Sequence, residues 1–172
     1  ILPVIIILKD NEHFIKDGEY TSYLNAIVRY SLGSDTKSID NFFMLYRSSY
    51  YKSLSALLQL TDYYISKNAL EKAYYTGILS VLTSFTRIYE IISERNKKFT
   101  FTTLENFFQE ALKYRDVKEW MNKNSVWRGF YNFGKLLLYK GNKLLADQVF
   151  DKTKQYCPDR TIVNLIALAK NQ

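Results

Sequence analysis

From Leu70 to Ile92 the chain carries Tyr74, Ile78, Val81, Phe85, Ile88 and Ile92 at alternating steps of four and three. That spacing lines six large apolar side chains along one side of an α-helix, a seam suited to packing on another helix. A strand would scatter them over both faces. Leu70, Ala73, Gly77, Leu82 and Tyr89 widen the stripe, which predicts more than one helical neighbour. The charged run "SERNKK" ends the segment.

The same period runs through most of the chain. Ile39, Phe42, Phe43, Tyr46, Tyr50, Leu54, Leu57, Leu58, Tyr64 and Ile65 form one face over residues 38–66, as one long helix or two with a kink. In "SKNALEK", Asn68 is expected to cap the next helix, with Glu71 completing a capping box, and the two segments read as an antiparallel hairpin. Further on, Thr102 is expected to cap a helix with Glu105 reaching back, and Leu104, Phe107, Phe108, Ala111 and Leu112 form its buried face. Asp116 and Glu119 repeat the cap signal before a short helix through Trp120. Helices near 126–139, 143–156 and 160–169 complete the chain. The run "VIIIL" near the start is the one strand-like stretch, and it also reads as the first helix of a hairpin.

Six Gly and two Pro in 172 residues are too few for a turn-rich all-β fold. An apolar fraction of 47% is that of a globular chain, so residues 1–172 are expected to form one all-α domain of antiparallel helical hairpins. Because the chain begins at Ile1, it is expected to be a fragment of a longer precursor. The apolar run Ile1 to Leu8 is far too short to span a bilayer, and no transmembrane segment is expected.

Little in the sequence suggests chemistry. The single Cys157 permits no intrachain disulfide and no zinc site built on several thiolates. His13, the one histidine, stands beside Glu12 in a polar stretch and reads as an exposed helix residue. No P-loop, G-x-G-x-x-G, H-E-x-x-H or G-x-S-x-G is present. An enzyme is not expected, nor a cofactor or metal. The net charge of +7 favours acidic partners, but the basic residues are dispersed and the densest run is "RNKK" at 95–98.

The most patterned stretch is "WRGFYNFGKLLLYKGNKLLADQVFDKTKQYCPDR", residues 127–160. Phe130, the pair Phe133 and Gly134, Leu137, Gly141, Ala146, Phe150 and Pro158 fall at fixed intervals. This resembles the tetratricopeptide repeat, a helix-turn-helix of about 34 residues with large and small residues at set places. Thr153 departs from the usual Ala, and Leu137 from the usual Tyr. Two partial matches precede it. One has Tyr64 and Ala73, with Asn68 at the turn and Gly77 at the large position. The other has Phe14, Gly18 and Ile27, with Tyr23 at the small position. The three registers lie 50 and 73 residues apart. The resemblance implies a short, irregular α-solenoid; the competing reading is an irregular helical bundle with one chance match.

In tetratricopeptide proteins the first helix of each repeat lines a groove that holds a partner peptide. Carried over to the full match, that face presents Arg128, Tyr131, Asn132 and Lys135. Arg and Lys pair with carboxylates, Asn holds peptide backbone and Tyr supplies apolar area. The plainer reading of the four is a solvated helix face. The tyrosine doublets at 50/51, 63/64 and 74/75 either cover a wide helical stripe or place one ring of each pair at the rim. The function implied is a non-catalytic scaffold or adaptor that binds another protein. A basic helical nucleic-acid-binding domain is the alternative, followed by an envelope-assembly protein whose signal segment has been removed.

Overall fold

The computed structural model describes residues 50–99 and 103–171. Seven helices occupy them, with no strand among the described residues: α1 Tyr50–Ser66, α2 Leu70–Arg95, α3 Leu104–Ala111, α4 Arg115–Lys123, α5 Val126–Tyr139, α6 Lys143–Tyr156 and α7 Arg160–Lys170. The fold is all-α. His13, the run at the chain start and the partial repeat around Phe14 lie outside the described residues, as do Ile39 to Tyr46.

The seam on α2 is buried along its whole length, Phe85, Ile88 and Ile92 almost completely. It packs on α1 at one side and α5 at the other, the two neighbours that its wide stripe predicts. Helix α5 also packs on α6, and α7 lies against both α5 and α6. An aromatic cluster closes the centre. Phe85 of α2 meets Phe107 of α3 at 4.2 Å and Phe130 of α5 at 5.4 Å. Phe108 meets Trp127, Phe130 and Tyr156 at 5.5–5.6 Å, tying α3 to α5 and α6.

Helices α2 and α5 approach closely because small residues face large ones. At Gly77 an added Cβ would stand 2.9 Å from Leu136 Cδ1, and Gly129 lies under Leu58 and Ser80. The hydroxyls of Thr76, Ser80 and Ser84 on α2 turn back to carbonyls three or four residues earlier, so their burial leaves no donor unmet.

Two turns share one geometry. After α1, Asn68 takes φ 55°, its N–H donates to Ile65 O and the Ala69 N–H to Tyr64 O. After α5, Gly141 takes φ 78°, its N–H donates to Leu138 O and the Asn142 N–H to Leu137 O. Both are Schellman endings with a left-handed residue just past the helix. Asn68 therefore ends α1 and does not cap α2, whose first turn has no side-chain cap. That corrects the expected capping box with Glu71, whose carboxylate instead meets Lys140 at 3.0 Å. Two other cap expectations change as well. The Thr103 hydroxyl caps α3 by accepting from the Asn106 N–H, while Glu105 turns to Lys152 and Tyr156 on α6. Helix α4 has no side-chain cap; Asp116 pairs with Arg95 and Glu119 with Arg115.

In α5 and α6, Phe130, Phe133, Leu137, Ala146 and Phe150 are all buried. A Cβ on Gly134 would stand 2.7 Å from Phe150 Cδ1, so that ring occupies the space that glycine leaves. At the matching places 73 residues earlier the sizes are exchanged, Thr61 for Gly134 and Gly77 for Phe150. Thr61 and Thr76 join α1 to α2 there by a 2.9 Å hydroxyl contact.

Candidate functional site

Arg128, Tyr131, Asn132 and Lys135 follow one another on α5 at steps of three, one and three, which sets them on a single face. Phe130, Phe133 and Leu137 take the opposite side of the helix into the core. The described structure brings all four to one groove of about 800 Å³. Its walls are α1, through Asp62 and Ile65, and the first turns of α7, through Thr161, Ile162 and Leu165.

Asp62 organises this groove. Its carboxylate pairs with the Arg128 guanidinium at 2.5 Å and accepts from Asn132 Nδ2 at 3.1 Å. Asn132 is only 4% exposed, and one of its two amide N–H donors is taken by Asp62. Its side chain lines the groove beside Arg128 and Lys135. Arg128 remains exposed and keeps further N–H donors besides those on Asp62.

Lys135 is held differently. Its ammonium lies 4.6 Å from the centre of the Tyr131 ring, a cation–π contact, and it forms no ion pair among the described residues. Burial lowers its pKa, only partly offset by the attraction of Asp62, and Arg128 adds to the lowering. The Tyr131 hydroxyl is pushed the other way by burial. The groove thus combines a braced guanidinium, a partly desolvated ammonium and a tyrosine edge. Such a set pairs with carboxylates and covers apolar side chains.

Asp62 was not read from the sequence, because it stands 70 residues before Asn132. A signal for it exists: Asp62 and Lys135 are 73 residues apart, the same offset that relates the two matched turns. Asp62 of α1 and Lys135 of α5 line the same groove. Of the doublets, Tyr63 is 54% exposed beside a half-buried Tyr64, whereas Tyr74 is buried. Tyr50, Tyr51 and Tyr75 are outside the described side chains.

No helix among the described residues is long and apolar enough to cross a membrane. No family model matches the chain, and no solved structure matches it. It is similar to an uncharacterised protein of Treponema pallidum (strain Nichols), 21% identical over 155 residues, which covers 90% of this chain and 41% of that protein. It is also similar to an uncharacterised protein of Borreliella burgdorferi (strain ATCC 35210 / DSM 4680 / CIP 102532 / B31), 29% identical over 112 residues, 65% of this chain and 33% of that one. The chain therefore spans well under half the length of either relative.

Proposed function

We propose that the chain is a non-catalytic scaffold or adaptor module of tetratricopeptide-like helical hairpins, which binds another protein along the α1–α5–α7 groove. The observation that carries this reading is the convergence of Arg128, Tyr131 and Lys135 on one groove, with Asp62 bracing the guanidinium. Two features support the repeat arrangement beneath it. The Schellman turns after α1 and α5 match in every hydrogen bond, and α7 begins 34 residues after α5, about one repeat length. A groove of this kind gives a partner polar anchors and apolar cover without a reacting group.

Affinity capture from the source cells tests the reading, with Lys135→Glu and Arg128→Gln as controls. Arg128→Glu is a poorer choice, because it sets a second carboxylate against Asp62. A protein that is captured by the wild-type chain, survives nuclease treatment and is lost by about tenfold from the double variant supports the proposal. Capture that disappears with nuclease, or is indifferent to both substitutions, contradicts it.

A further inference from the structure

A second and larger concavity, about 950 Å³, lies behind the first, and the two share Asn122, Trp127 and Pro158 as a common wall. Its floor is aromatic: Phe99, Phe108 and Trp127 are 2–5% exposed, with the more open Leu112 and Tyr156 beside them. Its charged rim is nearly of one sign. Lys98 and Lys118 carry no carboxylate partner among the described residues, while Lys113 holds Glu110 at 2.8 Å. Among the described residues the one acidic side chain at the rim is therefore already neutralised, and two exposed ammonium groups remain.

The amides at the edge add a second kind of complementarity. Asn122 Oδ1 accepts from the Trp127 indole N–H at 3.1 Å, which leaves its NH₂ group as a donor. Gln109 Nε2 donates to Glu105 at 3.0 Å, which leaves its carbonyl oxygen as an acceptor. One donor and one acceptor of amide type are what an extended polypeptide backbone pairs with.

We infer that this groove docks an acidic, extended segment of a partner protein, its carboxylates set against Lys98 and Lys118 and its backbone against Asn122 and Gln109. The basic rim alone would also attract nucleic acid. Single strands, however, gain much of their affinity by stacking bases on open rings, and the floor rings here are turned into the core. Among the described residues no arginine lines the groove to fork onto a phosphate. A peptide is the better match. Lys98, Lys118 and Gln109 lie outside the α1–α5–α7 groove, which shares only the Asn122, Trp127 and Pro158 wall, so the assignment is tested separately from the proposed function.

The test is fluorescence anisotropy with the full chain and three labelled probes: a synthetic peptide alternating Glu and Leu, the same peptide with Lys for Glu, and a single-stranded oligouridylate. Lys98→Glu/Lys118→Glu is the groove variant, and Lys135→Glu marks the other face. Both lysines of the first pair are exposed, so an unchanged unfolding midpoint will show that the variant folds. The Glu/Leu peptide is expected to bind in preference to both other probes, more weakly as salt rises, and about tenfold less to the double variant. Lys135→Glu removes any share of that binding carried by the α1–α5–α7 groove, and in its background the double variant is still expected to cost about tenfold. Equal or tighter binding of the oligouridylate, no preference over the Lys/Leu peptide, or binding that Lys98→Glu/Lys118→Glu leaves intact in the Lys135→Glu background would overturn the assignment.

Discussion

At the scale of single residues, glycine does different work at two places on the same helix. Gly134 yields its space to the Phe150 ring, which is fully buried, whereas a Cβ at Gly129 meets a flexible Leu58 methyl at 3.3 Å and the Ser80 hydroxyl at an ordinary 3.7 Å. Alanine gains about 1 kcal/mol over glycine inside a helix. Overpacking against a fixed ring costs about 1–3 kcal/mol. Gly134→Ala is therefore expected to lower stability by about 1 kcal/mol or more, and Gly129→Ala to change it little or raise it; urea unfolding of the two variants separates these outcomes. The large residues of this region were legible in the sequence because the helical period alone places Phe130, Phe133 and Phe150 in the core. Asp62 was not legible, since no local rule reaches across 70 residues to Asn132. The burial of Asn132 was not legible for a related reason: a polar residue on an outward helix step becomes buried only when another helix brings it a partner.

At the scale of elements, the two Schellman endings make Asn68 and Gly141 equivalent. A left-handed residue costs a side chain about 1–2 kcal/mol unless it is glycine, and asparagine tolerates that region best among the rest. Nothing lies within 4 Å of a Cβ added at Gly141, so only backbone strain decides. Gly141→Asn is expected to cost a few tenths of a kcal/mol and Gly141→Ala about 1 kcal/mol, read from thermal or urea unfolding. The helices from 126 onward were read from the sequence within a residue of their observed ends, because Gly141 and Pro158 punctuate them. The caps were harder. Asn68 suits both a helix N-cap and a left-handed C-terminal position, and sequence cannot weigh one against the other before the turn exists. Glu105 and Asp116 were read as local cap partners, but each found a basic residue on a different helix, Lys152 and Arg95.

At the scale of the whole molecule, ion pairs join helices distant in sequence, Glu105 of α3 to Lys152 of α6 and Asp116 of α4 to Arg95 of α2. Lys152 and Tyr156 hold the Glu105 carboxyl below the usual range, Lys113 does so for Glu110, and Arg95 for Asp116. A carboxylate more acidic in the folded chain than in the unfolded one stabilises the fold above its unfolded pKa. That stabilisation is lost as pH falls through the folded value. The melting temperature is therefore expected to fall below about pH 4.5, and Glu105→Gln to flatten that fall, as followed by circular dichroism. The all-α class was legible because the helical period needs no knowledge of neighbours. Where α3 and α4 settle was not, because they lie between the two matched helix pairs and are placed by contacts such as Phe85 with Phe107.

The most direct measurement is site-specific photocrosslinking in the source cells. A photoreactive phenylalanine analogue replaces Tyr131 in the α1–α5–α7 groove, and in a second variant the exposed Lys154 on α6. A discrete protein adduct is expected from position 131, absent from position 154 and from the Lys135→Glu background. Adducts of equal yield at both positions, or crosslinks at 131 to nucleic acid alone, would contradict the proposed function.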